Sequence, residues 1–316
     1  MINTSDNTFE EICPCCSSSS WKKRELHSMN SYYVCKKCSL NIQEISNNFS
    51  KDDYFKMQQE HHFGDSEILT GTSPLMKQIE SGGNNFKLNM INKYLKTSSD
   101  IVEIGSGAGS FAKLMEDKDF NVTIIEESLE LSKHLETVIQ GQVVNKNLSE
   151  YETNKKYDAV CTFQVIEHVI DLLEHLEDIQ KLLKDGGLIF LTTPNSESFQ
   201  HKLPFGLSPN FDSAHLYVLS INSLKLLLKK TGFELIEVAT PEYPAIWLRV
   251  ASKILRRIKG KSETETAGEY IVNSSPLYQA IYNSFKVISA PFRYIQSGLR
   301  RGNEIFLVAR KINNIN

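Results

Sequence analysis

Val102-Glu103-Ile104-Gly105-Ser106-Gly107-Ala108-Gly109 decides the fold of this chain. Apolar residues lead into Glu103, and glycines then fall at 105, 107 and 109. A strand ending in such a run lets the backbone turn tightly and approach a ligand closely, because glycine adopts positive φ without steric cost. The helix that follows presents its N-terminal N–H groups to whatever sits at the turn. A glycine run alone says little; its neighbours give it meaning.

Val122–Ile125 reads as an apolar strand closed by Glu126, and a carboxylate there can accept both hydroxyls of a ribose. Tyr157–Phe163 reads as a third buried strand, followed by Gln164-Val165-Ile166-Glu167-His168. An amphipathic helix then spans Leu172–Leu183. Asp185-Gly186-Gly187 breaks it, and a strand from Leu188 to Thr192 ends at Thr193-Pro194-Asn195. Upstream, the spacing of Ile79, Phe86, Met90, Ile91, Tyr94 and Leu95 predicts a helix over 74–96. Further on, Glu234–Ala239 and Glu304–Ala309 read as strands. Strands alternating with helices make an α/β, doubly wound sheet. Ligands in such sheets sit outside the carboxyl ends of the strands. The glycine loop, Glu126, Asn147, Gln164 and His168 all fall there.

As a set, these motifs resemble the class I S-adenosylmethionine-dependent methyltransferases, specifically the branch similar to ubiquinone-biosynthesis O-methyltransferases. Glu103, Gly105, Gly107 and Gly109 match its E/D-x-G-x-G-x-G pattern, and Glu126 matches the acid ending its second strand. Glu167-His168 matches its "EH", and Leu182-Leu183-Lys184-Asp185-Gly186-Gly187 its "LLKPGG". His215-Leu216-Tyr217-Val218-Leu219-Ser220 and Gly232-Phe233 match later motifs. The resemblance covers residues 85–240 and a last strand near 304–310. It implies a Rossmann-like, mostly parallel seven-stranded sheet with S-adenosylmethionine as cofactor. The cofactor-binding residues it implies are Glu103, Gly105, Ser106, Gly107, Gly109, Glu126, Asn147, Leu148, Phe163 and Gln164. Ser106 replaces the family's cysteine. Asn147 stands where the family has an aspartate beside the adenine amine, a bond that the Asn carbonyl oxygen can also accept. A dinucleotide site would need Gly or Ala at position 110, which is Ser110. It would also leave Glu167-His168 and Thr192–Asn195 unexplained.

Methyl transfer from a sulfonium is an in-line displacement, in which the protein mainly holds the acceptor close, aligned and dry. Transfer to oxygen also benefits from a base. His168 is the candidate, since an unperturbed imidazole titrates near working pH; the alternative is a histidine that caps a turn or orders the cofactor loop. His215 is the second candidate base, with a structural pin as its alternative. Glu167, adjacent to His168, should point elsewhere and hold backbone or neighbouring residues. Ser198–Tyr217 has no clear period, and in the family that stretch covers the acceptor pocket.

Five of the six cysteines crowd into residues 13–38. Cys13, Cys16, Cys35 and Cys38 form a C-x2-C…C-x2-C pair whose spacing suits four thiolates on one tetrahedral Zn2+. Cys15 is a spare, and reduced cysteines without metal are the alternative. Trp21 and Tyr32-Tyr33-Val34 supply the short strands of a zinc ribbon. Many members of the branch carry such a ribbon before the catalytic domain. Nucleotide-sugar C-methyltransferases do too, with a different glycine motif. Lys22, Lys23, Arg24, Lys36 and Lys37 are read as a solvated surface.

The 316 residues hold 41% hydrophobic and 23% charged residues at a net charge of −3. This is ordinary for a globular protein and argues against a dedicated nucleic-acid binder. No signal-peptide core opens the chain, and no apolar window is long enough to span a bilayer. The reading divides the chain into a ribbon (1–45), a connector or lid (46–84) and a methyltransferase domain (85–316) with an amphipathic insertion at 243–302. Ile246, Trp247, Val250, Ala251, Ile254, Leu255 and Ile258 recur at helical spacing among basic residues, and Leu277–Leu299 is a second apolar-aromatic stretch. Residues 246–299 are therefore read either as a peripheral membrane contact or as a packing or homodimer surface. The resulting expectation is a cytoplasmic protein, or one at the inner face of the membrane. It methylates a hydroxyl on a small molecule or on a glycan or lipid-linked precursor. A nucleotide-sugar C-methyltransferase and a non-catalytic cofactor-binding module are the alternatives.

Overall fold

In the computed structural model, residues 11–25, 31–44, 74–203, 214–258 and 276–312 are described. The glycine loop leaves β4 (Asp100–Ile104), which pairs in parallel with β5 (Asn121–Glu126) on one side and β7 (Tyr157–Phe163) on the other. β6 (Gln142–Asn145) extends the sheet beyond β5, and β8 (Leu183–Pro194) extends it beyond β7, both parallel. One reversed strand, β11 (Glu304–Lys311), pairs antiparallel with β8 and with the edge strand β10 (Phe233–Ala239), which therefore runs the same way as the rest of the sheet. The order β10-β11-β8-β7-β4-β5-β6 is the doubly wound, mostly parallel seven-stranded sheet that the sequence predicts.

Both faces of the sheet are covered, which is why its strands are apolar runs rather than alternating ones. Successive side chains go to opposite faces. Ile189, Leu191, Ile305 and Leu307 meet α4 (Leu172–Leu182) and α5 (Ile221–Lys230). Phe190, Phe306 and Val308 meet α1 (Pro74–Ile91), α2 (Ser110–Glu116) and α3 (Leu129–Val138). Each helix start has a sequence reason. Asp171 Oδ1 accepts from the N–H groups of Leu173 and Glu174, and Ser220 with Ser223 forms a reciprocal capping box.

Three sequence boundaries move. The helix predicted over 74–96 stops at Ile91, and it runs straight through the expected boundary at residue 84. Asp185-Gly186-Gly187 does not separate helix from strand. It lies inside β8, bulged out opposite Asp158 between the pairs Tyr157↔Leu183 and Ala159↔Leu188, with Gly186 at φ 73°. Lys184 Nζ closes the bulge by donating to Asp158 Oδ1 at 2.8 Å. The connector at 46–73, including His61 and His62, lies outside the described residues.

The N-terminal cysteine segment is not a separate bead. β1 (Trp21–Arg24), β2 (Tyr32–Cys35) and β3 (Asn41–Gln43) form a sheet whose fourth strand is β9 (Tyr217–Val218). Asn41 pairs with Val218, and Ile42 with Tyr217. Ser220 Oγ donates to the Cys38 carbonyl at 2.6 Å, and Lys230 Nζ to the Pro14 carbonyl at 2.7 Å. The buried thiols of Cys13, Cys35 and Cys38 join the same core as Leu224 and Leu228.

The insertion is helical. α6 (Pro244–Ile258), α7 (Pro276–Ile288) and α8 (Ala290–Gly298) intervene before β11. Ala245 packs on Tyr282 of α7 and on Ile79 of α1. Among the described residues no helix is long and apolar enough to cross a membrane.

Candidate functional site

A cleft of about 620 Å³ opens at the carboxyl ends of β4, β5 and β7. Gly105, Gly107, Glu126, Asn147, Leu148, Gln164 and His168 line it, so the structure brings together seven of the residues singled out from sequence. Gly105 and Gly107 both have positive φ, at 69° and 54°. A Cβ on Gly105 would lie 2.7 Å from Val165 Cγ2, whereas one on Gly107 would meet nothing within 4 Å. Gly105 is therefore glycine for the turn and its packing, while Gly107 faces open space where a ligand backbone contact can form. Gly109 has another role. A Cβ there would lie 2.5 Å from Leu135 Cδ2, so it lets α2 start tight against α3 and does not line the cleft.

Glu126 is buried and preorganised: its Oε1 accepts from the Ser128 N–H at 3.0 Å, and its carbonyl accepts from Ser132 Oγ at 3.1 Å and Asn145 Nδ2 at 2.9 Å. Asn147 departs from the expectation. Its Oδ1 already accepts from the Ser149 N–H at 3.1 Å and from Ser149 Oγ at 2.9 Å, while its Nδ2 donates to Glu127 Oε2 at 2.7 Å. The side chain caps the 3-10 turn Leu148–Glu150. With two bonds already on Oδ1, a ring amine has no lone pair left there to use.

At the other end of the loop, Glu103 is buried, and burial pushes its carboxyl up to about 7, against the pull of Lys87. Glu103 Oε2 meets no hydrogen-bond partner of good geometry among the described residues, and the neighbouring Ser106 hydroxyl adds only a second, weaker pull on the carboxyl. A buried carboxylate oxygen in this state is a receptor for a cationic donor. Lys87 of α1 lies over the Phe163 ring, 4.5 Å from its centroid, and 5.6 Å from that of Phe111. Sequence reasoning missed Lys87; the signal was a cation between Phe86 and Leu88 on the flank of α1 that packs on the sheet. α1 is latched over the loop by Glu80 and Asn84, both bonded to Ser110 Oγ.

The second half of the site surrounds His168. Its Nδ1 lies 2.9 Å from the Ala214 carbonyl, which can only accept, so Nδ1 carries the proton and the ring lone pair is on Nε2. The His215 ring stands 4.8 Å away at 68°. Glu167 does not point elsewhere: ligand atoms of Glu167, His168 and His215 all lie within 4.8 Å of one another. The expectation of diverging neighbours fails because Gln164 adopts φ 59°, and the chain after it is neither strand nor helix. Glu167 is fully buried, accepts from Thr193 Oγ1 at 3.1 Å, and is pushed up to about 8 by burial. At neutral pH it therefore keeps its proton. In chemical terms the trio is either a proton relay or a donor set for a divalent cation. Gln164 Nε2 donates to Glu304 Oε2 at 2.8 Å, and the Tyr243 hydroxyl to Glu304 Oε1 at 3.3 Å. Tyr243 and Glu304, the two ends of the insertion, thus reach the site and were also missed.

Far upstream of these groups in sequence, the four expected cysteines converge. Their Sγ atoms all lie within 4.8 Å of one another, with Cys13–Cys38 and Cys16–Cys35 each at 3.5 Å. Four sulfurs at 2.3 Å around one zinc would stand about 3.8 Å apart, so the donor set fits. Cys15 is buried beside the cluster but is not one of the four.

Residues 85–238 match the family model described as "Methyltransferase domain". The "Ubiquinone biosynthesis O-methyltransferase" of Rickettsia conorii is 24% identical over 167 residues, which cover 49% of this chain and 57% of that protein. Its namesake in Rickettsia bellii is 29% identical over 118 residues, 35% of this chain and 49% of that protein. The chain thus spans about half the length of the curated relatives it matches. Among solved structures, the 1,6-didemethyltoxoflavin-N1-methyltransferase of Burkholderia thailandensis superposes with a TM-score of 0.51 at 10% identity. The alignment covers 92% of this chain and 100% of that one. At that identity the likeness speaks for the fold, which is that of class I methyltransferases.

Proposed function

We propose, for a chain whose residues 85–238 are a methyltransferase domain, that it transfers the methyl group of S-adenosylmethionine to a hydroxyl of a small-molecule or glycan-type acceptor. One observation carries the reading: a single cleft is lined by both the buried carboxylate of Glu126 and by His168, whose ring stands 4.8 Å from that of His215. The bound cofactor supplies an electrophilic methyl group on a sulfonium; the rest falls to this chain. Glu126 would hold the ribose hydroxyls, Gly107 would give backbone contact, and Leu148 would stand beside the adenine where the Asn147 side chain is already committed. Glu103 and Lys87 hold the ammonium and carboxylate of the amino-acid end. His168 Nε2 accepts the hydroxyl proton as the oxygen takes the methyl, while Nδ1 stays bonded to the Ala214 carbonyl and fixes the tautomer. Cys13, Cys16, Cys35 and Cys38 hold a structural zinc that keeps β3 against β9.

Two substitutions test the assignment. Glu126→Ala should abolish or strongly weaken calorimetric binding of S-adenosylhomocysteine. His168→Ala should leave that binding nearly intact and lower methyl incorporation by about two to four orders of magnitude, the range for losing a general base. An equal loss of binding in His168→Ala would move His168 to the cofactor site and leave His215 as the base. Glu167, His168 and His215 also support a second reading, in which a divalent cation activates the acceptor oxygen. Turnover that survives prolonged chelation selects the base.

A further inference from the structure

We infer that the insertion helices form a docking surface for an anionic lipid bilayer, held by an apolar ridge on α7 and α8. Ile288, Phe292, Ile295 and Leu299 recur at helical spacing along one side, with Val287 and Tyr294 beside them. Val287, Ile288, Tyr294, Ile295 and Leu299 are 60–78% exposed. At the far end of α6, Ile258 is 76% exposed. Single exposed aliphatics need no explanation, but a run of this length on one element does.

Charge identifies the occupant. The protein carries −3 overall, yet neither Pro244–Ile258 nor Pro276–Asn303 contains a single Asp or Glu. Arg249, Lys253, Arg256 and Arg257 lie in the first stretch, and Lys286, Arg293, Arg300 and Arg301 in the second. Arg293 is committed inward, donating to the Glu242 carbonyl at 3.0 Å, and Arg301 lies 3.7 Å from Glu197. Lys286 and Arg300 are exposed at either end of the ridge. Apolar and aromatic side chains flanked by cations, with no acid among them, match an interface of anionic headgroups over acyl chains. A second copy of this chain matches poorly, because an isologous contact would set cations against cations. Nucleic acid would use the cations and leave the ridge in water.

The ridge is rigid and reaches the site. Trp247 Nε1 donates to Gln296 Oε1 at 3.2 Å, pinning α8 to α6. Phe292 stacks edge-on to Phe199 at 5.9 Å, just past the end of β8. At the insertion's flanks, the Tyr243 hydroxyl donates to Glu304, which in turn accepts from Gln164 Nε2. A bilayer against the ridge would therefore lie beside the acceptor side of the cleft.

Co-sedimentation of the full chain with vesicles tests this. Vesicles of equal parts phosphatidylglycerol and phosphatidylcholine should carry the protein down at low salt, and phosphatidylcholine alone should not. Raising the salt to about 0.5 M should release it. Lys286→Ala with Arg300→Ala should weaken binding about 25-fold, from about fivefold per cation. Ile288→Asp with Ile295→Asp should abolish it. Unchanged S-adenosylhomocysteine binding in both variants would show that they are folded. The inference fails if the protein stays in the supernatant with anionic vesicles at low salt. Equal sedimentation with both lipids, or a ridge variant that sediments like the parent, overturns it too. If the ridge variant halves the solution mass while vesicles are ignored, a second copy covers the ridge. If the cation variant loses only duplex binding, nucleic acid does. Vesicle binding needs no methyl transfer, so its failure would leave the proposed reaction standing.

Discussion

Glu103 is the residue where the chemistry is most sharply tuned. Its buried carboxyl, raised to about 7, is neutral for much of the population at physiological pH, although the role proposed for it is to pair with an ammonium. Only the ionised form pairs, so S-adenosylhomocysteine affinity should rise with pH through about 7. Below that it should fall about tenfold per pH unit, since one unit of pKa is a factor of ten. Titration calorimetry from pH 5.5 to 8.5 would show the slope, and Glu103→Gln should flatten it while weakening binding throughout. A parent protein with no slope would show that Glu103 does not meet the ammonium. Glu103, Gly107, Glu126 and His168 were legible in the sequence because motif spacing fixes them at strand ends. Lys87, Tyr243 and Glu304 were not. Their contribution comes from a helix and an insertion that meet the loop only in three dimensions, and nothing local marks them. Asn147 and Gly109 were legible as positions but misread as contacts. One spends its oxygen on a cap, and the other spends its missing Cβ on packing.

At the scale of elements, the ribbon and the acceptor side share a sheet. β9 runs directly on from His215, and the Tyr32 hydroxyl donates to the His215 carbonyl at 3.1 Å. Zinc at the four cysteines should therefore matter to catalysis although it touches no reactant. Cys38→Ser should reduce elemental zinc from one per chain to none. If that costs ~3 kcal/mol, the thermal midpoint should fall by about 6–12 °C. Turnover should fall more than S-adenosylhomocysteine affinity, because Glu126 ends β5 and Gly107 lies in the loop after β4, both in the other sheet from β3. Cys15→Ser should keep its zinc. An unchanged midpoint in Cys38→Ser would mean that the thiols pack without a metal. The central strands β4, β5, β7 and β8 were legible because two-sided burial writes them as apolar runs, whereas the short, half-exposed edge strand β6 (Gln142–Asn145) was not. The two-residue β9 was not, since only its partner makes it a strand. Apolar periodicity located α6 and the stretch holding α7 and α8, but could not say which apolar residues stay outside.

For the molecule as a whole, buried acids set the response to pH. Glu103 and Glu242 are both nearly inaccessible, and burial raises both to about 7 from an ordinary 4.5. Their folded pKa exceeds the unfolded one, so the native state holds the extra protons. Stability is greatest below the unfolded value and declines as pH rises through 7. From pH 6 to 8.5 each should cost about 1–2 kcal/mol, lowering the thermal midpoint of the cofactor-free protein by several degrees. Saturating S-adenosylhomocysteine should narrow the difference, because its ammonium compensates Glu103. A midpoint that climbs over this range would contradict the burial of these two groups. The pairing of Asn41 with Val218 joins positions 177 residues apart. A ribosome adding about 5–20 residues per second delivers the fourth strand of the small sheet about 9–35 s after the third. During that wait the edge of β3 is an open template on a nascent chain, while the four cysteines of the N-terminal module are already all in place to close. If those cysteines take zinc as proposed, metal supply at the moment of translation, rather than in the finished protein, should govern how many chains reach the docked state.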